Sequence, residues 1–235
     1  QEVDIVPAVQ QNMTKYAVMV MEPERIRYEL EKALYLAREG RPGPSWLDIP
    51  LDVQGGGIET DALEGFEPPA PSAQINLPQI ARGLLARLRA AERPVLYAGN
   101  GIRWSGGMEL FRRLCSALDI PVVTCWDSVD LIATDDAHYC GRGGNMGDRA
   151  GNFAVQNSDF LLCIGARMSI YQVGWNTATW ARAAYVAMVD IDPLELSKPI
   201  LRVDLPICAD AAEFMAALIA AAEGEQFSHG AWREQ

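Results

Sequence analysis

Residues 140–147, with the sequence CGRGGNMG, have the types and spacing that best suit the binding of an anion. The segment holds four glycines and one arginine and stands ahead of a stretch with helical spacing. Glycine-rich backbone before a helix can form a nest of N–H groups that holds a phosphate. The sequence therefore predicts a phosphate-binding loop at Gly141, Arg142, Gly143 and Gly144, and the alternative is a flexible loop without a ligand.

Two further glycines follow the apolar run at residues 94–98. Gly99 and Gly101 approach the fingerprint of a dinucleotide-binding loop, but Trp104 stands where that fingerprint has its third glycine. No acidic residue ends the second predicted strand to accept a ribose hydroxyl, so a standard NAD site of that type is not expected. The glycines permit a ligand to approach the backbone closely, or they form only a tight turn.

A third group of candidate ligand contacts follows two later apolar runs. Arg167 can pair with a pyrophosphate in bidentate fashion, and the alternative is a solvated arginine. Asp190 and Asp192, on either side of Ile191, can accept hydrogen bonds from a ribose or from an adenine amine. Asp192 can equally cap a helix, and Asp210 presents the same two alternatives. Together these residues predict an extended nucleotide along one edge of a sheet.

The sequence pattern offers no arrangement for catalysis or for metal binding. The chain has two histidines, His138 and His229, and five cysteines without a C-x-x-C spacing. This pattern indicates neither a zinc site nor a disulfide framework. We therefore predict no catalytic residue and no metal ligand in this chain.

The composition is that of an acidic globular protein. The 235 residues are 49% hydrophobic and carry a net charge of −11. This balance argues against a nucleic-acid partner and against an anionic membrane surface, both of which need clustered cations. No apolar run approaches the roughly 18 residues of a membrane span. The N-terminal residues lack the pattern of a signal peptide, and we expect a cytoplasmic protein.

Apolar runs and amphipathic segments alternate between residues 78 and 223. Solidly apolar strands separated by helices are typical of a parallel sheet that is covered on both faces. We therefore expect an α/β fold, one doubly wound and mostly parallel domain of the Rossmann-like type. The predicted strands are 94–98, 121–124, 160–165, 186–191 and 202–208; the predicted helices begin at 78 and span 108–118, 149–158, 178–184 and 211–222, with a long loop at 127–149.

Residues 1–53 indicate a partial α/β domain. A helix begins near Pro23 and ends at Gly40, and a strand follows at residues 45–49. One helix and one strand cannot cover both faces of a sheet, so we expect this segment to be disordered, packed in a non-native way or paired with another copy. The glycines and prolines of residues 54–77 predict a linker.

Residues 40–54, GRPGPSWLDIPLDVQ, resemble the end of the pyrimidine-binding domain in thiamine-diphosphate enzymes of the acetolactate synthase type. Residues 188–193 resemble part of that family's central domain. By this resemblance, residues 78–223 form a central domain of the FAD/NAD-binding type. Residues 1–53 are then the incomplete C-terminal part of the pyrimidine-binding domain, and residues 224–235 are a tail that leads to a missing diphosphate-binding domain.

Enzymes of this family use thiamine diphosphate and a divalent metal, usually Mg²⁺, to form or cleave carbon–carbon bonds beside a carbonyl, often by decarboxylating a 2-oxo acid. The resemblance implies that the parent protein is a transferase or lyase, and a homodimer or homotetramer with pyrimidine- and diphosphate-binding domains. The family's Gly-Asp-Gly…Asn motif for the metal and the diphosphate does not occur in this sequence. We therefore expect a fragment that is not catalytic on its own.

The central domains of the family's members bind FAD, ADP or no nucleotide. The resemblance places a ribityl-pyrophosphate near residues 141–144 and Arg167, and an adenosine near Asp190 and Ile191, with Asp210 close by. One alternative is an interdomain and oligomerisation scaffold without a nucleotide. The other is an NAD-dependent enzyme of related fold.

Overall fold

The computed structural model describes residues 5–70, 75–227 and 229–234. The chain divides into two compact units, Gln1–Ala73 and Gln74–Gln235, and each of them has its own sheet. Within the described ranges no helix is long and apolar enough to cross a membrane.

The first unit contains a two-stranded parallel sheet. Its strands pair in register from Tyr16 beside Ser45 to Met19 beside Asp48. A helix connects the two strands, as the crossover between parallel strands requires. The disorder expected for residues 1–53 is therefore not observed in the described part of that segment, because a short strand that the sequence pattern missed pairs with the predicted one. The elements are α1 (Ile5–Asn12), β1 (Tyr16–Met19), α2 (Ile26–Arg38), β2 (Ser45–Asp48) and α3 (Leu51–Gln54).

A buried carboxylate joins helix α2 to strand β1. Glu29 is 8% exposed; it accepts a hydrogen bond from the Tyr16 hydroxyl and lies 3.3 Å from the Arg25 guanidinium. Burial, together with the bond to Glu29, raises the pKa of Tyr16, so this hydroxyl remains a donor at physiological pH. Leu30 and Leu34 on the same helix stay about half exposed, which leaves the unit with an apolar face.

The second unit alternates strands and helices, as the sequence pattern indicates. Its strands are β3 (Pro94–Ala98), β4 (Val122–Thr124), β5 (Tyr139–Arg142), β6 (Phe160–Ile164), β7 (Tyr185–Asp190) and β8 (Leu205–Cys208). Its helices are α4 (Leu77–Ala90), α5 (Gly101–Trp104), α6 (Met108–Leu118), α7 (Arg149–Asn157), α8 (Ile170–Val173), α9 (Pro193–Leu196), α10 (Ala211–Ala222) and α11 (Gly230–Arg233).

The six strands of this unit are all parallel and lie in the order β5-β4-β3-β6-β7-β8. The chain starts at the centre of the sheet, builds one half outward and returns to build the other half, which is the doubly wound Rossmann order. The predicted fold class is therefore confirmed. The order reverses between β3 and β6, which pair in register from Pro94 beside Phe160 to Ala98 beside Ile164.

Helices cover both faces of this sheet. Helices α4, α6 and α10 pack on one face, where Leu84, Phe111 and Phe214 are at most 1% exposed. Helix α7 packs on the other face, which includes Tyr97 and Cys163. Every residue of β3 and β6 is buried. This two-sided burial explains why the central strands are unbroken apolar runs in the sequence.

The helix predicted at residues 178–184 is wrong. The structure has a 3-10 turn at Thr177–Thr179, followed by a turn in which Ala181 adopts a left-handed φ of +43°. A right-handed helix cannot continue through a left-handed residue. The alanines give a helical signal, but the burial of Trp180 at 9% exposure favours the turn.

An edge strand lies inside the predicted loop at residues 127–149. Strand β5 pairs with β4, but it contains polar residues and Gly141 at a φ of +115°, so it has no apolar run to reveal it. At the opposite edge, β8 begins at Leu205 rather than at residue 202. Edge strands are covered less completely than central ones, so their sequences carry a weaker signal.

Replacing Leu162 with alanine is expected to destabilise the second unit by about 2–5 kcal/mol, because this side chain is fully buried in the central strand β6. Urea denaturation followed by circular dichroism measures the change. Leu194→Ala is the control: that leucine is 76% exposed, and its replacement should change the free energy of unfolding by less than about 0.5 kcal/mol. Equal effects of the two substitutions would contradict the central position of β6.

Candidate functional site

The turns that follow β3 and β6 meet where the strand order reverses. The Gly99 N–H donates to the carbonyl of Ile164 at 2.9 Å, and the Gly101 N–H donates to the carbonyl of Gly165 at 3.0 Å. A Cβ atom at residue 99 would lie 2.2 Å from the Cα atom of Ala166. Gly99 and Gly101 therefore serve the contact between two turns, and their contact with a ligand stays a prediction.

The loop after β5 is held by hydrogen bonds to the protein. The Gly143 N–H donates to a carbonyl of β4 at 3.1 Å, and the Gly144 N–H donates to Asn152 Oδ1 at 2.8 Å. The Arg142 N–H donates to Asp148 Oδ2 at 3.0 Å. These backbone donors already have acceptors, so contact between this loop and an anion would fall to the Arg142 guanidinium. That guanidinium is partly exposed and lies 3.7 Å from Asp148.

Arg167 lies at the carboxyl end of β6 in a left-handed conformation, with a φ of +54°. Its Nε donates to Glu195 Oε1 at 2.8 Å, while Lys198 Nζ donates to the Arg167 carbonyl at 2.8 Å and also pairs with Glu195. The side chain of Glu195 is 6% exposed and that of Arg167 is 55% exposed. Burial opposes ionisation of Glu195, but the hydrogen bonds from Lys198 and Arg167 hold its pKa below the ordinary value.

The aspartates at the ends of β7 and β8 bind backbone N–H groups nearby. Asp192 Oδ1 accepts from the N–H of Leu194 at 2.9 Å and so caps α9. Asp210 Oδ1 accepts from the N–H of Ala212 at 2.8 Å and so caps α10. Asp190 is 6% exposed, and its Oδ1 accepts from the N–H of Asp192 at 3.0 Å. Asp192 and Asp210 thus form the helix caps that the sequence offered as the alternative to ligand binding.

Ile191 is the apolar member of the same predicted group. Its side chain is 37% exposed at the carboxyl end of β7, next to the capped helix α9. Ile191 and Asp192 precede Glu195 in the sequence by four and three residues, and Glu195 is the residue that binds Arg167. The contact of Ile191 with an adenosine stays a prediction.

Beneath the loop after β5 lies a buried hydroxyl. Tyr97 is fully buried against Gly143, and its Oη has no hydrogen-bond partner among the described residues. Burial raises the pKa of Tyr97, and burial together with Asp127 raises the pKa of Cys125 to about 12. Both groups are therefore neutral at physiological pH, which makes Cys125 a poor nucleophile.

Four residues at this edge were not singled out in the sequence. Glu195 and Lys198 lie beyond the Asp192 cap, and only the folded chain shows that both contact Arg167. Trp126 and Tyr171 are each about half exposed, and their ring centroids lie 6.2 Å apart. An aromatic residue two positions after a predicted strand was a signal for Trp126.

A separate groove of about 800 Å³ runs along helix α7 and reaches Arg93 and Pro121, which lie at the amino ends of β3 and β4. Arg93, Arg149 and Arg182 line it, together with the aromatic residues Phe153 and Trp232. Among the described ranges no set of three or more His, Cys, Asp or Glu residues is placed to hold a metal ion. The groove therefore offers cations and apolar surface but no metal-binding set.

Comparison with known proteins matches most of the second unit. A family profile described as "Thiamine pyrophosphate enzyme, central domain" matches residues 81–218. The match includes both turns at the strand reversal, the loop after β5 and the Arg167–Glu195–Lys198 group.

Individual relatives match over nearly the whole chain. A probable acetolactate synthase large subunit of Methanocaldococcus jannaschii is 34% identical over 89% of this chain and 36% of its own length. The acetolactate synthase large subunit of Lactococcus lactis is also 34% identical, over 89% of this chain and 36% of its own length. Acetolactate synthase 1, chloroplastic, of Zea mays is 31% identical over 100% of this chain and 37% of its own length. The chain thus spans little more than a third of the length of these relatives.

Gly99→Ala is expected to destabilise the second unit, because the new methyl group would overlap the backbone of Gly165 and Ala166. The control is Gly83→Ala in α4, where nothing lies within 4 Å of a new Cβ atom. That replacement should stabilise the helix by up to about 1 kcal/mol. Urea denaturation of both variants measures the opposite signs, and an unchanged midpoint for Gly99→Ala would contradict the close contact.

Glu195→Gln is expected to lower stability most at neutral pH. A carboxylate whose pKa is depressed in the folded state stabilises the protein above its unfolded pKa, about 4.5, and this contribution is lost as the pH falls through the folded pKa. The difference in unfolding free energy between wild type and variant should therefore shrink below about pH 4.5. Urea denaturation from pH 7 to pH 3 measures it, and a difference independent of pH would argue against the ion pairs.

Proposed function

We propose, for a chain that belongs to the thiamine pyrophosphate enzyme family and carries that family's central domain, a nucleotide-binding function. The chain would bind the pyrophosphate of FAD or ADP at the carboxyl edge of its six-stranded sheet. The edge is the place where doubly wound sheets bind ligands, at the reversal of the strand order. In this chain that point lies between β3 and β6.

The observation that carries the proposal is the placement of Arg167. Its backbone is at the strand reversal, its Nε is bonded to Glu195, and its side chain is half exposed. The hydrogen bond to Glu195 uses Nε, so it does not require either of the two terminal nitrogens. A guanidinium held in this way can pair two N–H groups with two phosphate oxygens.

The remaining contacts of the nucleotide are proposed around this anchor. The pyrophosphate would extend from Arg167 toward the loop at residues 141–144, where Arg142 supplies a second cation. The adenosine would lie toward Asp190, Ile191 and Asp192, with Asp210 beyond. The turn at Gly99 and Gly101, which packs against the backbone of Gly165 and Ala166, would lie beside the pyrophosphate.

Thiamine diphosphate and Mg²⁺ belong to the family but do not fit the residues described here. The described ranges hold no carboxylate, histidine or cysteine set suited to a metal. We therefore assign neither group to this chain and derive no step of a reaction from its residues. Thiamine diphosphate supplies the family's carbon–carbon bond chemistry, and here it would act elsewhere in the enzyme.

For the whole enzyme we propose an acetolactate synthase-like activity on a 2-oxo acid, as a transferase or lyase. This rests on the relatives' names and on a chain that spans about 36% of their length. The pyrimidine- and diphosphate-binding domains would be its partners, in a homodimer or homotetramer. Residues 1–53 would be part of the pyrimidine-binding domain, residues 54–77 a linker and residues 224–235 the connection to the diphosphate-binding domain.

Titration of the 235-residue chain with FAD and with ADP tests nucleotide binding, after a first absorbance spectrum of the purified protein. We expect a Kd in the micromolar range, about −8 kcal/mol, for at least one of them. Yellow protein or preferential FAD binding would support a flavin-dependent branch, and binding of ADP alone would support an adenine nucleotide. Binding of neither by the folded chain would overturn the proposal and favour the scaffold alternative.

Arg167→Ala is expected to weaken that binding roughly 10- to 100-fold, because hydrogen bonds to a charged group contribute about 1.5–3 kcal/mol. Arg182→Ala is the matched control, since this arginine lines the groove at the opposite end of the sheet. It should leave the Kd unchanged. Equal losses in the two variants would point to a general effect of charge and not to a contact at the carboxyl edge.

A further inference from the structure

We propose that Glu195 is a positioning residue, which orients the Arg167 guanidinium toward a phosphate group while Lys198 fixes the backbone of the same turn. This inference rests on the proposed nucleotide binding. It concerns the ion network between the turn after β6 and helix α9. In this network Glu195 binds the side chain of Arg167, and Lys198 binds the backbone carbonyl of Arg167.

The turn after β6 is strained. Gly165, Arg167 and Met168 have φ angles of +58°, +54° and +47°. A left-handed conformation is unfavourable for a residue other than glycine, and it persists where the surroundings determine it. The surroundings here are the fully buried Met168 side chain and the Lys198 ammonium, which binds the Arg167 carbonyl.

The side chain of Arg167 is held at one atom only. Glu195 Oε1 accepts from Nε at 2.8 Å, and the guanidinium remains 55% exposed. Carboxylates commonly bind arginine through two parallel N–H bonds, which would occupy its fork. Here the bond at Nε restricts the long side chain without using the two terminal nitrogens. Restricting a flexible side chain before binding lowers the entropy lost when a ligand binds.

The charges of the network leave a net positive site. Glu195 is 5% exposed and stands between two cations, so one carboxylate serves both Arg167 and Lys198. These three side chains together carry one excess positive charge, while the carboxylates of Asp190 and Asp192 at the same edge accept from backbone N–H groups. A buried carboxylate between two cations remains ionised at neutral pH and keeps both of them in place.

The replacement Glu195→Gln separates this role from simple electrostatics. Removal of a negative charge beside Arg167 would strengthen the binding of an anion if charge alone mattered. Loss of orientation would weaken it. A purely structural role would lower the stability of the fold and leave the affinity of the folded chain unchanged.

The experiment is calorimetric titration of the full 235-residue chain with inorganic pyrophosphate and with ADP. Under the positioning role, Glu195→Gln weakens both by at least about tenfold, on the scale of one charged hydrogen bond, and Lys198→Met has a smaller effect. Glu109→Gln is the matched control, because it makes the same charge change on an exposed residue of α6. Unchanged or tighter binding by folded Glu195→Gln would overturn the inference.

A second readout needs no ligand. The Nε–H of Arg167, assigned with an Arg167→Lys variant, should give a slowly exchanging signal in the nuclear magnetic resonance spectrum of wild type and lose it in Glu195→Gln. If wild type binds neither probe, the proposed nucleotide binding fails and the positioning role fails with it, while this signal still decides whether Glu195 holds the guanidinium in solution. A protected signal that depends on Glu195 supports it, and a rapidly exchanging signal in wild type overturns it.

Discussion

The second unit depends on one backbone contact, the approach of the turn after β3 to the turn after β6. Gly99, Gly101 and Gly165 come so close that no Cβ atom fits between the two turns. Because these turns touch, the carboxyl ends of the two central strands meet at one level. The chain after β6 then leaves through left-handed residues, and this exit carries Arg167 to helix α9. Packing and the candidate site thus share a single constraint.

Much of this fold could be predicted, because a strand that is buried on both faces of the sheet needs an unbroken run of apolar residues. Strands β3 and β6 are solid apolar runs, and their positions follow from that pattern. Strand β5 could not be found this way, since an edge strand needs no apolar run. The alanines of residues 178–184 give a helical signal, but helical propensity is a weak preference, and the segment forms a turn with Trp180 buried.

The candidate site was predictable only in part, for a similar reason. Helix caps are local, so the alternative that Asp192 and Asp210 bind backbone N–H groups was visible in the sequence. The bond between Arg167 and Glu195 joins a residue that follows β6 to a residue of the helix that follows β7. It therefore depends on the sheet order that places β6 beside β7. The carboxylates of this edge bind backbone or cations within the protein, whereas the arginines keep donors at the surface. That asymmetry is consistent with the anionic ligand that we propose.

The strand order has a consequence for the synthesis of the chain. Strand β3 is synthesised first in this sheet, but its central partner β6 is synthesised much later, since Pro94 pairs with the distant Phe160. A ribosome therefore releases β3 and β4 well before the middle of the sheet can close. During that interval one edge of an apolar strand is unprotected, and contacts between residues so distant in sequence form slowly. The same reversal that creates the crevice thus exposes the nascent chain to aggregation until β6 has emerged.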